Sequence, residues 1–369
     1  MRSQNVSTMQ KVVYWFCDHI WTKIDAQDQL FTIQLDITNS CNLRCNHCYC
    51  PHHQNEGALS FEQWCLVLDQ YETLLTKLHM KANIILCGGE PLLSPFLFKL
   101  LREIRNRFVV SEICILSNGT LLKPELVVQL KEFDVQLQIS LDGPDAKRHD
   151  SIRGTGNFVK TMEGCALLKK KGVSFHHLAV LSEKTSVWIE DFFQLAKTTG
   201  AIEMNFVRLI VEGHAKQLFL SGEDRPLARL SLKQSYQRIL QASRATGVST
   251  STHGALWHLI EDGLGTPNNI GICGMVVNYR GEVKASSRTS FVLGNVFTEG
   301  LEKLFLHHPV MKKLRQGRID LCGECNHFQK CRGDRNTSFA TYGHFFGPDL
   351  GCWVLPQKQL NDYWNKKYA

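Results

Sequence analysis

The sequence predicts an α/β fold: a parallel sheet closed or partly closed as a partial (β/α)6 TIM-type barrel, followed by a small cysteine-rich C-terminal domain. Two observations predict it. From residue 31 to about residue 230, short β-branched runs alternate with longer segments whose apolar residues recur at helical spacing. Beyond about residue 265 that rhythm gives way to short, turn-rich, cysteine-bearing sequence. Strands joined by crossover helices lie parallel, and the loops at their C-terminal ends collect the functional residues.

The elements follow in order. "FTIQLDI" (31–37) is the first strand, and the helix over 60–79 is opened by Ser60 as N-cap. "NIILC" (83–87) is followed by a helix over 95–107, with Ser94 at the cap and Pro95 at the first helical position. "EICILS" (112–117), "VQLQIS" (135–140), "SFHHLAVL" (174–181) and "IEMNFVRLI" (202–210) are the remaining strands. Helices over 124–132, 157–171 and 187–199 lie between them. Around residues 211–231 the rhythm breaks in a stretch rich in Gly, Pro and charge, and a helix over 232–246 follows. The chain thus divides into an N-terminal extension (1–30), a barrel (31–230), a helical linker (231–264) and the cysteine-rich domain (265–369). No internal repeat or low-complexity tract interrupts it.

Composition narrows the function. A chain of 369 residues, 43% hydrophobic, buries a core of one large or two ordinary domains. No apolar run approaches the roughly 20 residues of a membrane span, and the N-terminus lacks a signal-peptide cleavage site, so a cytoplasmic protein is expected. Fourteen cysteines are poor disulfide material in a reducing compartment, where tight clusters hold metals. A formal charge of +7 without a basic block interleaved with aromatics argues against nucleic acid as partner.

The stretch "DITNSCNLRCNHCYCPHH" leaves the first strand with Cys41, Cys45 and Cys48 in C-x-x-x-C-x-x-C spacing. Three thiolates on one loop can bind three irons of a 4Fe-4S cube and leave the fourth iron open for a non-protein ligand. A zinc site is the alternative, although zinc usually takes paired knuckles and four ligands. Cys50 falls outside the spacing and reads as a bystander, and Cys17, Cys65, Cys87, Cys114 and Cys165 read as small apolar residues.

"CNLRCNHCY", followed in order by "CGGEP" (87–91), "SNGT" (117–120), "ISLDGP" (139–144) and "RHDSIRGTGNF" (148–158), closely resembles the radical S-adenosylmethionine superfamily. The resemblance covers about residues 30–210. It implies that Cys41, Cys45 and Cys48 hold a cluster whose open iron takes the amino and carboxylate groups of S-adenosylmethionine. Gly88 and Gly89 would let the backbone approach, and Glu90 would meet the methionine ammonium. Ser117 and Asn118 would contact the ribose, Ser140 and Arg153 the methionine carboxylate, and His47 and Leu209 the two faces of the adenine.

The C-terminal "LCGECNHFQKCRGDR" sets Cys322, Cys325 and Cys331 in C-x-x-C-x-x-x-x-x-C spacing, and "GPDLGCW" adds Cys352. Four thiolates complete a 4Fe-4S cube with no open iron, an arrangement suited to electron transfer; a four-cysteine structural zinc is the alternative. The region resembles the SPASM extension of peptide-modifying radical enzymes, which carries seven cysteines for two auxiliary clusters. Cys273 stands at the first of these positions, but Ser286 and Arg335 stand at two others. The resemblance therefore implies one auxiliary cluster and two clusters in all. Sulfatase-maturing relatives carry an acidic base where this chain has Ser287, which disfavours that reaction.

The expected function is that of a radical S-adenosylmethionine peptide maturase. It would abstract a hydrogen atom from a ribosomally made precursor peptide through a 5'-deoxyadenosyl radical and form an intramolecular crosslink. Three alternatives stand beside it: a peptide α-carbon epimerase with Cys273 as hydrogen donor, a small-molecule dehydrogenase of the same superfamily, and a zinc-stabilised binding protein without turnover. An electron donor such as flavodoxin or ferredoxin is implied. The residues before 31 are too few for an extra peptide-recognition domain, so a separate leader-binding protein is a further expected partner.

Overall fold

The computed structural model describes residues 30–50 and 54–368; the N-terminal extension expected over 1–30 lies, but for Leu30, outside them. The chain runs β1 (Leu30–Asp36), α1 (Phe61–Leu78), β2 (Lys81–Cys87), α2 (Leu97–Arg107), β3 (Val110–Ser117), α3 (Pro124–Glu132) and β4 (Gln136–Ser140). It continues α4 (Ala146–Arg153), α5 (Asn157–Lys171), β5 (Phe175–Leu181), α6 (Ile189–Thr199), β6 (Met204–Arg208), α7 (Ala215–Ser221) and α8 (Arg229–Thr246). The C-terminal part holds β7 (Gly274–Val277), β8 (Glu282–Lys284), β9 (Val292–Asn295), α9 (Leu301–His307) and α10 (Pro309–Arg315), then α11 (Phe328–Cys331), α12 (Arg335–Tyr342) and α13 (Gln357–Tyr368). The expected α/β class and parallel strand order hold, and no described helix is long and apolar enough to cross a membrane.

The chain forms two compact units. The first comprises residues up to Ser40, the segment up to Ile115, and Asn269–Arg318; the second comprises the loop from Cys41, Leu116–Asn268 and the residues from Ile319.

In the first unit β1 pairs in parallel with β2 on one side and β7 on the other, β2 pairs with β3, and β8 and β9 extend the sheet antiparallel. Side chains alternate across a strand, so the sheet has two unlike faces. Phe31, Ile33 and Leu35 of β1, with Ile84 and Leu86 of β2, are fully buried on one face, as are Trp64, Leu68 and Tyr71 of α1. Phe31 packs edge-on against Phe305 of α9 at 4.8 Å, and the Tyr71 hydroxyl donates to the Phe31 carbonyl at 2.6 Å. The other face is polar: Asn83 donates to Thr32 at 3.0 Å and Gln34 to Asp36 at 2.8 Å.

Helix α1 begins where Ser60 predicts, with a full capping box: the Ser60 hydroxyl accepts from the Gln63 amide, and the Gln63 side chain accepts from Ser60 N. Helix α2 starts at Leu97, later than Ser94 suggests. A short 3-10 turn, Pro91–Leu93, ends at Ser94, whose hydroxyl accepts from Phe96 N at 3.3 Å.

The second unit pairs β4, β5 and β6 in parallel. Phe192 and Phe193 of α6 are fully buried and lie 5.8 and 6.0 Å from Phe206 of β6. Helices α6 and α8 are joined at their rim by Arg238 and Glu190. Helix α4 was not foreseen. Asp145 caps it, accepting from Arg148 N at 2.9 Å, and it carries Arg153 in its last turn.

Candidate functional site

The cysteine loop of the second unit is built from its backbone outward. Cys48 N donates to the Cys45 carbonyl, Leu43 N to Cys41 Sγ at 3.4 Å, and Asn46 N to the Ile152 carbonyl of α4 at 3.0 Å. His214 N holds the Cys48 carbonyl at 2.8 Å. Gly213 makes that approach possible: a Cβ there would lie 2.4 Å from Cys48 O, and its φ of +57° is left-handed. The loop is also fastened to the end of β3. Asn118 donates to Asn42 Oδ1 at 2.9 Å and accepts from Thr120 N, while the Ser117 hydroxyl accepts from Gly119 N.

Behind the loop lies a buried charge cluster. Asp142, on the turn after Ser140 ends β4, is fully buried; its Oδ1 accepts from Val180 N at 2.8 Å. Its Oδ2 lies 2.6 Å from Arg153 Nε and 2.9 Å from His47 Nε2. Burial alone would raise this carboxyl, but the charges of Arg153 and His47 outweigh it and hold Asp142 well below the usual carboxylate range. Arg153 Nη1 also points to Cys45 Sγ at 3.8 Å. Burial pushes the Cys45 thiol up to about 11 against the opposing pull of Arg153, and raises Cys48 as well. His47 Nδ1 is buried and finds no hydrogen-bond partner among the described residues. Leu209, 4% exposed, follows β6 and donates its N–H to the Leu181 carbonyl.

In the first unit Gly88 and Gly89 sit against the strand end that leads into Cys41. A Cβ on Gly88, whose φ is +131°, would lie 2.0 Å from Thr38 O, and one on Gly89 2.3 Å from Ser40 O. Gly89 N donates to Thr38 O and Glu90 N to Ser40 O, both at 2.8 Å. Glu90 is 1% exposed, and its Oε1 accepts from Leu92 N at 3.2 Å. On the polar face of the sheet, burial raises the Asp36 carboxyl against the pull of Gln34, Lys284 and Cys87. Cys273, half-buried, precedes β7, and its carbonyl accepts from Thr32 N at 3.0 Å.

The four C-terminal cysteines come together in the second unit. Cys322, Cys325, Cys331 and Cys352 line one small cavity with Phe328 and Asp349, and none of the four is in a disulfide. Burial pushes Cys331 up to about 12 and raises Cys322 and Cys352. Among the described residues, no three His, Cys, Asp or Glu side chains converge on the position of a single metal ion. Arg208, at the end of β6, grips Asp349 with two bonds of 2.9 Å, and Asp349 also accepts from Asp334 N and Gly351 N. Arg229 ties α8 to the same loop through the Cys352 carbonyl at 2.5 Å.

The sequence missed Asp142, Gly213, His214, Arg208 and Asp349. The "LDG" and "VEGH" stretches looked like ordinary turns, and their partners lie far along the chain.

A profile described as the Radical SAM superfamily matches residues 35–196. An "AdoMet-dependent heme synthase" of Oleidesulfovibrio alaskensis is 27% identical over 357 residues, covering 89% of this chain and 88% of that one. "Mycofactocin maturase MftC" of Mycobacterium ulcerans is 27% identical over 332 residues, covering 86% of each chain. Among solved structures, Streptococcus suis SuiB bound to precursor peptide SuiA superposes with a TM-score of 0.70 at 14% identity, over 95% of this chain and 81% of that one. That likeness shows the fold.

Proposed function

This chain is an enzyme of the radical S-adenosylmethionine superfamily, and from that premise we propose that it matures a ribosomally made peptide, removing hydrogen and joining two of its atoms in an intramolecular crosslink. The observation that carries the peptide reading is a groove of about 890 Å³ in the second unit. It runs from Leu209 and Ile210, after β6, past Phe219 and Leu230 to Trp353 and Trp364. Phe219, Leu230 and Trp364 are 43%, 70% and 43% exposed there, more apolar surface than a solvated wall needs. A peptide lying in it passes Leu209, the residue expected to cover the adenine. A relative named for maturation and a fold neighbour solved with a precursor peptide support the same reading.

Cys41, Cys45 and Cys48 would hold the first cube. The buried, unpartnered Nδ1 of His47 fits a pocket that receives a polar ligand such as adenine. Cys322, Cys325, Cys331 and Cys352 would hold an auxiliary cube: they ring one cavity without converging on a point, which suits a cluster better than a zinc ion. When bound, the two cubes and S-adenosylmethionine supply hydrogen-atom abstraction and one-electron chemistry. The chain's own residues hold and orient. Asp142 fixes His47 and Arg153, Glu90 offers a carboxylate to the methionine ammonium, and Ser140 and Arg153 meet the methionine carboxylate. The reductant is a flavodoxin or ferredoxin, and leader recognition falls to the groove or to a separate protein.

The test is anaerobic turnover with S-adenosylmethionine, a reductant and the short peptide encoded beside this gene. Peptide-dependent 5'-deoxyadenosine and a product lighter by two hydrogens are expected. A second reading, a haem precursor as substrate, is favoured by the relatives named heme synthase, which align over 89% of the chain. Turnover of such a precursor, with none of the peptide, would replace the first reading by the second.

A further inference from the structure

Arg335 stands where the SPASM pattern would place a thiolate for a second auxiliary cluster. It opens α12 and is 1% exposed. Its guanidinium is fully engaged: Nε donates to the Gly333 carbonyl at 3.3 Å, and Nη1 to the Phe345 and Gly347 carbonyls, both at 2.8 Å. Nη2 points at Cys322 Sγ, 3.9 Å away. Gly333 gives way to it, since a Cβ there would lie 2.2 Å from Nη2.

A buried guanidinium needs a negative partner, because an unpaired charge in the interior is costly. Arg153 has Asp142 and Arg208 has Asp349. Among the described residues no carboxylate pairs with Arg335; the group it reaches that can carry negative charge is the Cys322 sulfur. A cube on four thiolates is an anion, and hydrogen bonds and positive charge at its sulfurs favour its reduced form.

We propose that Arg335, in place of a lost cluster ligand, is a positioning residue that supplies the counter-charge of the auxiliary cluster through Cys322 and raises its reduction potential. The inference rests on the auxiliary cube proposed above. It explains why a cation occupies a vacated ligand position: the charge that would have been balanced by further iron is balanced by guanidinium.

The experiment uses the full chain with Cys41, Cys45 and Cys48 changed to Ala, so that the auxiliary cluster is the sole paramagnet. Iron analysis comes first. A parent protein without about four irons would defeat the auxiliary cube itself, an outcome distinct from failure of this inference. Redox titration followed by electron paramagnetic resonance then compares Arg335 with Arg335→Lys and Arg335→Gln. The expected result is a midpoint lowered in Arg335→Gln and lowered less in Arg335→Lys, with iron retained. Retention of iron in Lys but not Gln also supports the charge requirement. An unshifted midpoint in an iron-replete Arg335→Gln, or equal iron loss in both variants, overturns it and leaves Arg335 a backbone clamp.

Discussion

His47 Nε2 lies 2.9 Å from Asp142 Oδ2, and the same oxygen lies 2.6 Å from Arg153 Nε. One buried carboxylate therefore orients the histidine between the second and third cysteines of the loop and the arginine that faces Cys45. The arrangement makes Asp142 the hinge of the site.

Asp142→Asn should cost about 3–5 kcal/mol of stability, since it leaves the Arg153 charge buried without its partner. It should also sharply weaken S-adenosylmethionine binding. The pH dependence follows from the depressed Asp142 carboxyl. Its stabilisation is present above the unfolded carboxylate value, near 4, and is lost as pH falls below it toward the folded value. Thermal unfolding between pH 7 and pH 3 should therefore show a smaller acid loss for Asp142→Asn than for the parent protein. Equal acid slopes would contradict the role.

Changing Cys41, Cys45 and Cys48 together to Ala should abolish 5'-deoxyadenosine formation and lower iron from about eight to about four per chain. Iron and sulfide analysis reads this directly. A third cube in the unmodified protein would show that Ser286 and Arg335 had been misassigned.

Gly213→Ala should disturb the first cluster from outside the motif, because the added Cβ meets Cys48 O and the backbone is left-handed. Cluster occupancy on reconstitution should fall while the auxiliary iron remains. Full occupancy with normal turnover would contradict it.

The legible part of the molecule is the local part. Apolar spacing located the six parallel strands and the helices between them, and Ser60 and Gln63 announced a capping box because both partners lie within four residues. The cysteines could be read for the same reason, since C-x-x-x-C-x-x-C fits one loop. Asp142, Gly213 and Asn42 could not. Their meaning depends on Arg153, Cys48 and Asn118, which only the folded chain brings near. Strands β7 to β9, three or four residues each, are too short for a period to show, and only pairing with β1 makes β7 a strand. Arg335 was visible as a missing thiolate, but its guanidinium's address, Cys322, was not.

Cys273→Ala should retain crosslinking. Cys273 belongs to the first unit, whereas the four thiols that share a cavity belong to the second, and its observed contacts are backbone bonds before β7. Loss of product with continued 5'-deoxyadenosine formation would instead assign it the hydrogen-donor role.

The central claim is tested most directly by the mass of the peptide product after anaerobic turnover in deuterium oxide. The account predicts a peptide-dependent product lighter than its precursor by two hydrogens, without solvent deuterium at carbon. A product of unchanged composition, carrying one deuterium at an inverted α-carbon, would contradict it and make the enzyme an epimerase.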